Sequence, residues 1–201
     1  MKHKGDQIMS EIDKMRSGEW YDANYDQELV KARRIAQDKY FEYNQIQPSN
    51  DKKKQELLTE ILGYKPDKVD ISQTFYCDYG TNIQFGSDIH VNLSCYFMDG
   101  AKITIGNNCF IGPYTGFYTA AHPVAPEPRN KGLEQARPIT IGDNCWFGAN
   151  VSVMPGVTIG NNCVISAGSV VTKDMPDNSV IMGVPAKAVR KINESDNPIL
   201  T

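Results

Sequence analysis

From about residue 69 to residue 174 the chain repeats every six residues. Before an interruption at 121–138 the units read ITIGNN, CFIGPY and TGFYTA. After it they read ITIGDN, CWFGAN, VSVMPG, VTIGNN, CVISAG and SVVTKD. The third position is Ile105, Ile111, Phe117, Ile141, Phe147, Val153, Ile159, Ile165 and Val171, apolar in every unit. The fourth is often glycine, as at Gly106, Gly112, Gly142, Gly148 and Gly160. Fainter units, IQFGSD, IHVNLS and CYFMDG, come first, and Ala101-Lys102 then shifts the frame. Such a period fits neither the α-helix, at about 3.6 residues, nor an alternating strand, at about 2. It is the signature of a parallel β-helix, in which each hexad supplies a short strand and a turn. Three hexads close one triangular coil. The apolar third positions stack inside, and each coil buries its surface against its neighbours. A mainly β fold is therefore expected, with the solenoid spanning 65–186.

Residues 1–64 carry a different period. The segment 26–44 places Leu29, Ala32, Ile35, Ala36, Tyr40 and Tyr43 at helical spacings, and Asp26 is positioned to cap it. A second helix is expected over 48–63, opening on Pro-Ser-Asn and stopping at Gly63. A shorter one is expected over 5–16, ending near Gly18. These helices look amphipathic and are expected to pack on one end of the solenoid, hiding strand edges. At the other end the six-residue period stops after Asp174, Pro176 and Pro185 suit a chain leaving the last coil, and 187–201 reads as a polar tail.

Composition excludes several classes. The net charge is −3, and Lys52-Lys53-Lys54 is the only basic run. It reads as a solvated helix face, so nucleic acid is not an expected partner. The N-terminus lacks the apolar core of a secretory signal, and no stretch approaches the ~18 apolar residues of a membrane span. Five cysteines, an odd number without CxxC spacing, argue against a disulfide framework and a zinc site and favour a reducing cytoplasm. Cys95, Cys109, Cys145 and Cys163 all open a hexad, which marks them as packed interior thiols.

The interruption, AHPVAPEPRNKGLEQARP, is rich in Pro, Gly and charge. Long loops inside a compact repeat are uncommon unless functional. This one is expected to leave the solenoid and reach over a neighbouring coil or subunit. His122 stands at its root, where a rigid rung would hold an imidazole as a general base near neutral pH. Of the other two histidines, His3 is near the terminus and His90 falls at an outward-facing second position with nothing to mark it.

The chain resembles the hexapeptide-repeat acyltransferases, specifically the maltose/galactoside O-acetyltransferase group. The matching elements are GEWYDANYDQELVKARRIA, DYGTNIQFG, VNLSCYFMD, YTAAHPV, ITIGDNCWFGANVSVMPGVTIG, SAGSVVTKD and GVPAKAVRKI, which run from about residue 8 to 193. The resemblance implies a left-handed β-helix and a homotrimer with active sites between subunits. It implies acetyl-CoA as co-substrate, no metal, and direct acetyl transfer to a hydroxyl of a sugar or sugar-like acceptor. It gives His122 the role of catalytic base and Asn92 that of a polar contact to the reacting groups. Asp22, Asp78 and Asp99 fall at acceptor-binding positions, although Gly100 stands where the family's acid varies by one. Trp146, Ala149, Ala167, Thr172, Lys173, Lys187 and Arg190 fall at cofactor-binding positions, the backbone N–H of Ala149 serving the thioester oxygen.

The residue types suit that chemistry. A hydroxyl attacks a thioester poorly near neutral pH without a base. A backbone donor needs no particular side chain, so alanine is acceptable at 149. Lysine and arginine are natural partners for the phosphates of CoA, though Lys187 lacks the planar fork of arginine. Two alternatives stay open at this point: a non-catalytic trimeric scaffold, and a metal-dependent β-helix hydratase, which needs three converging histidines.

Overall fold

The computed structural model describes residues 9–199. The solenoid has three faces of parallel strands. One carries Ile83–Phe85, Ile103–Ile105, Ile139–Ile141 and Thr158–Ile159. A second starts at Val69–Ile71 and climbs through Ile89–Val91, Phe110–Ile111, Trp146–Phe147 and Val164–Ile165 to Ser179–Gly183. The third stacks Phe75–Cys77, Cys95–Met98, Gly116–Tyr118, Ser152–Val153 and Val170–Val171. Third-position residues are in register on successive coils, as in Ile105, Ile141 and Ile159 or Phe97, Phe117 and Val153. The interior is aromatic at its centre. Phe97 stacks on Phe117 at 5.0 Å between ring centres and meets Phe75 at 5.6 Å and Phe85 at 5.7 Å.

The corners explain the rest of the hexad. Asn144, Asn162 and Asn178 adopt left-handed backbone at φ 58, 55 and 57, a region asparagine tolerates well. Their side chains form a ladder: Asn144 Nδ2 donates to Asn162 Oδ1 at 3.0 Å, and Asn162 Nδ2 to Asn178 Oδ1 at 2.9 Å. At another corner, a Cβ on Gly148 would lie 2.6 Å from the backbone nitrogen of Ala167 on the next coil, so only glycine fits. The five cysteines are buried and unpaired. Four of their thiols donate to corner carbonyls on the next coil, Cys145 Sγ to Gly160 O at 3.2 Å for example. Recurrent cysteine is thus a corner filler with a weak donor, as the sequence pattern implied.

The helices lie where they were expected, with shifted ends. Helix α1 is Glu11–Ser17, and positions 5–8 of the expected segment lie outside the described residues. Helix α2, Gln27–Gln45, is capped by Asp26, whose carboxylate accepts from Leu29 N at 2.9 Å. Helix α3, Asp51–Leu62, is capped by Asn50 and ends at Gly63 in left-handed backbone. Helices α2 and α3 close the first coil. Tyr43 Oη donates to Ile71 O at 2.6 Å, and the Asn44 amide both donates to and accepts from the backbone of Phe75. Gln55 donates to Val69 O at 3.1 Å. Strand edges that would otherwise pair with another molecule are occupied.

Two segments depart from the sequence reading. The expected tail at 187–201 does not start where the solenoid ends, because Ala186–Lys191 is a strand that folds back antiparallel on Ser179–Gly183. The interruption is also not an open loop. Ala120–Ala121 and Leu133–Ala136 form an antiparallel pair, and helix α4, Pro126–Asn130, makes the tip. Tyr21–Asp22 joins the other edge of Leu133–Ala136, so this arm is built onto the chain's own N-terminal segment.

Phe97 tests the aromatic centre. Phe97→Ala is expected to lower unfolding free energy by about 3–5 kcal/mol, read from denaturant titration.

Candidate active site

The three-stranded arm sheet aligns residues from distant segments. Tyr21 pairs with Glu134, and Ala121 pairs with Gln135, which sets His122 opposite Glu134. Tyr21, Glu134 and His122 therefore form one row across the sheet, and directly opposed side chains in a sheet share a face.

His122 Nδ1 lies 2.8 Å from the Leu133 carbonyl oxygen. A carbonyl can only accept, so Nδ1 carries a proton, and in the neutral ring the lone pair is on Nε2. The side chain is 42% exposed, enough for a ligand to reach Nε2. Glu134 Oε2 lies 3.7 Å from that nitrogen. Glu134 Oε1 accepts a short hydrogen bond from the Tyr21 hydroxyl. Tyr21 is wholly buried, and burial together with the Glu134 charge pushes its phenol far up.

Behind this row stands Asp78. It accepts a short hydrogen bond from the Tyr96 hydroxyl. Burial raises its carboxyl above the ordinary value, the Tyr96 bond opposes that, and the Glu134 charge adds to it. Arg33 donates to the Tyr79 hydroxyl at 2.8 Å and to the Ala23 carbonyl, tying α2 to the same region. Asp22 follows Tyr21 and pairs with Leu133. Its Oδ1 accepts from the backbone N–H of Tyr25 at 2.9 Å and of Asn24 at 3.2 Å.

Asp99 was expected at an acceptor-binding position. It is fully buried. Its carboxylate accepts from the backbone N–H groups of Asp78 at 2.9 Å, Tyr79 at 2.8 Å and Asn82 at 3.2 Å. It shapes the turn that presents Asp78 and Tyr79. Burial pushes its carboxyl up to about 7 against those three hydrogen bonds.

A second group lies on another face. Asp70, Ser72, His90, Asn92, Phe110 and Trp146 line an open groove of about 320 Å³. His90 lies flat on Phe110 at 5.3 Å, and its Nδ1 is 3.9 Å from Asp70 Oδ2. Its outward position thus has a context that the sequence did not reveal. Phe110 and Trp146 are register partners, and Trp146 is 57% exposed. Asn92 Oδ1 accepts from Leu93 N at 2.8 Å.

Asn92 precedes the strand Cys95–Met98, whereas His122 follows the parallel strand Gly116–Tyr118. The two therefore occupy opposite edges of one face, and a single chain does not bring them together. Ala149 and Ala167 stack on successive coils, the Ala149 carbonyl accepting from Gly168 N at 2.9 Å. With Gly112 and Gly148 they leave a corner without bulky side chains. Thr172 and Lys173 are exposed just past Val170–Val171, and the strand bearing Lys187 and Arg190 packs nearby. Arg190, expected at a cofactor-binding position, is ion-paired within the chain. Its guanidinium is bidentate on Asp196 at 2.8 and 2.7 Å, and holds that carboxyl down at about 2.

Sequence reasoning missed Glu134, Tyr21, Tyr96 and Arg33. No spacing marks them; only the arm register and the fold of α2 bring them in. Among the described residues, no three His, Cys, Asp or Glu side chains converge as a metal-ligand set. His90 and His122 lie apart, and His3 lies outside the described residues. No helix among the described residues is long and apolar enough to cross a membrane.

The Asp99 environment has a pH signature. Its carboxyl is raised from an ordinary 3.8 to about 7 by burial, so its stabilising contribution is greatest at low pH and is lost as pH rises through that window. The difference in unfolding free energy between wild type and Asp99→Asn is expected to shrink over the same range, measured by denaturant titration at several pH values.

Comparison with known proteins follows the same division of the chain. A family model described as the maltose acetyltransferase hexapeptide capping motif matches residues 14–65. Another, the hexapeptide repeat of succinyl-transferase, matches 138–173. A maltose O-acetyltransferase from Clostridium difficile 630 is 41% identical, with a TM-score of 0.89, over 92% of this chain and 99% of that one. A galactoside acetyltransferase in complex with coenzyme A is 35% identical, with a TM-score of 0.87, over 94% of both chains. A hexapeptide-repeat acetyltransferase from Vibrio cholerae, complexed with acetyl coenzyme A, is 35% identical, with a TM-score of 0.84, over 92% of this chain and all of that one.

Proposed function

The chain belongs to the maltose/galactoside O-acetyltransferase group, and from that premise we propose that it transfers acetyl directly from acetyl-CoA to a hydroxyl of a sugar or sugar-like acceptor. The observation that carries this reading is His122, whose Nδ1 is held by the Leu133 carbonyl and whose Nε2 is left to act as a base. Nε2 takes the proton of the acceptor hydroxyl as its oxygen attacks the thioester carbonyl. A new C–O bond forms, and the Ala149 backbone N–H steadies the oxyanion. The intermediate collapses, the C–S bond breaks, and the leaving sulfur recovers the proton from Nε2. The products are the acetyl ester and free CoA.

In this reading the protein is a homotrimer. Because Asn92 and His122 sit at opposite edges of one chain, the base of one copy would face Asn92, Trp146 and Ala149 of the next. Acetyl-CoA would run along the corner of Gly112, Gly148 and Ala167, which carries only small residues. Thr172, Lys173 and Lys187 are free to meet its phosphates, and Arg190 would exchange Asp196 for a phosphate. Asp22 and Asp78 belong to the acceptor side. Buried free thiols and an acetyl-CoA co-substrate fit a cytoplasmic enzyme.

CoA release from acetyl-CoA across a sugar panel, beginning with maltose and glucose, tests the proposal. One acceptor is expected to stimulate release, and His122→Ala is expected to lower kcat/KM by about 10²–10⁴-fold. Release that no acceptor stimulates would point to a non-catalytic scaffold, and equal rates in the variant would remove His122 as base.

A further inference from the structure

The last two strands of the solenoid pair out of step. Val180 lies opposite Arg190, but Ile181 lies opposite Ala188, so Val189 is an extra residue on its strand. Ile181 is fully buried, which turns its neighbours Val180 and Met182 to the outer face. Their cross-strand partners, Arg190 and Lys187, share that face. In a regular strand, side chains three positions apart point to opposite faces. The bulge at Val189 re-aims Arg190 to the side of Lys187. Two cations therefore stand on one outer surface at the end of the solenoid.

One of the two is already occupied. Arg190 Nη1 donates to Asp196 Oδ2 at 2.8 Å and Nη2 to Oδ1 at 2.7 Å, the fork that arginine offers to a carboxylate or a phosphate. Nη1 also donates to Lys191 O at 3.1 Å. Asp196 is presented by a single turn, Glu194–Asp196. Asn193 N donates to Asp196 Oδ2 at 2.9 Å, and Asn193 Oδ1 accepts from Ser195 N at 3.0 Å. Residues 193–199 are all exposed, so this segment adds no buried apolar side chain and is weakly held. The ion pair cancels the charge of Arg190. A guanidinium with one positive charge does not balance a carboxylate and a phosphate together, so the two anions compete for it.

We propose that Asp196 is an internal stand-in for a phosphate of CoA: it closes the Arg190 fork in the free protein, and CoA displaces it, releasing the terminal turn. This rests on the placement of the CoA phosphates at Lys187 and Arg190. When CoA binds, a phosphate takes the two Nη donors, the carboxylate returns to water, and the turn loses its tie to Ala186–Lys191. No covalent bond changes. The displacement opposes binding, so the contact holds the affinity for CoA below what the two cations alone would give. It also couples occupancy of the cofactor site to the order of residues 193–197.

Titration calorimetry with CoA compares wild type, Asp196→Asn, Arg190→Gln and the double variant. Asp196→Asn keeps an acceptor for Asn193 N and removes the charge. It is expected to bind CoA about two- to fivefold more tightly, the range over which an exposed ion pair competes. Arg190→Gln is expected to weaken CoA binding by about tenfold, as loss of hydrogen bonds to a charged group predicts, and adding Asp196→Asn to it is expected to change nothing further. Pantetheine, which has no phosphate, is expected to bind wild type and Asp196→Asn alike. Amide hydrogen exchange gives a second readout. Saturating CoA is expected to speed exchange at Ser195 and Asp196, whose N–H groups are bonded within the turn. Unchanged CoA binding in Asp196→Asn overturns the inference. Weaker binding also overturns it and makes Asp196 a positioning group for Arg190. So does a tightening that pantetheine shares, or exchange that CoA slows or leaves unchanged. If Arg190→Gln binds CoA as wild type does, the phosphates lie elsewhere and the inference falls, while acetyl transfer by His122 stands on its own assay.

Discussion

The architecture depends on hydrogen bonding between coils through corners that approach closely. Each short strand pairs in parallel with the strand one coil away, and the corner backbones must come equally near for that register to persist. Gly148 permits it at one corner, where a Cβ would meet the Ala167 backbone. Left-handed Asn144, Asn162 and Asn178 turn the chain at another, and their amides pass hydrogen bonds up the solenoid. With the corners satisfied, apolar third positions stack without a gap, and Phe97, Phe117 and Phe147 become one continuous column. Parallel pairing leaves edges at both ends. Helices α2 and α3 cover one, and the antiparallel turn-back of Ala186–Lys191 lines part of the other.

The solenoid supplies rigidity, and the proposed base is hung on the arm that interrupts it at 121–138. The arm leaves one face and is fixed by two strand pairings, one with itself and one with the N-terminal segment. Regular backbone pairing therefore holds His122 and Glu134, which suits a site whose reactants must be held in register. Asp99 serves the same end from inside. Its buried carboxylate takes three backbone N–H groups and thereby sets the turn of Asp78 and Tyr79, at the expense of a charge in a dry place.

Legibility in the sequence follows the range of the interaction that fixes each feature. The six-residue period was readable because every coil repeats the same side-chain requirement locally. Helix ends were readable because Asp26 and Gly63 act within a few residues of themselves. His122 stood out because it sits where the repeat breaks. The burial of Asp99 was not legible because it is decided by the coil packed around it. The Arg190 ion pair was not legible because Asp196 becomes a partner only when the chain turns after the last strand. His90 was unmarked because its stacking partner Phe110 lies one coil above.

The sequence by itself determined the solenoid, its helical cap, its interior column and the position of the histidine at the break. Each of these follows from a residue and its near neighbours, or from one rule applied at every repeat. Tertiary structure decided what the histidine faces. Tyr21 and Glu134 are 113 residues apart, and nothing local joins them. Pairing within the arm sets Glu134 opposite His122, and Tyr21 joins them through the antiparallel register between the arm and the N-terminal segment. That register exists only once the solenoid has brought both to the same edge.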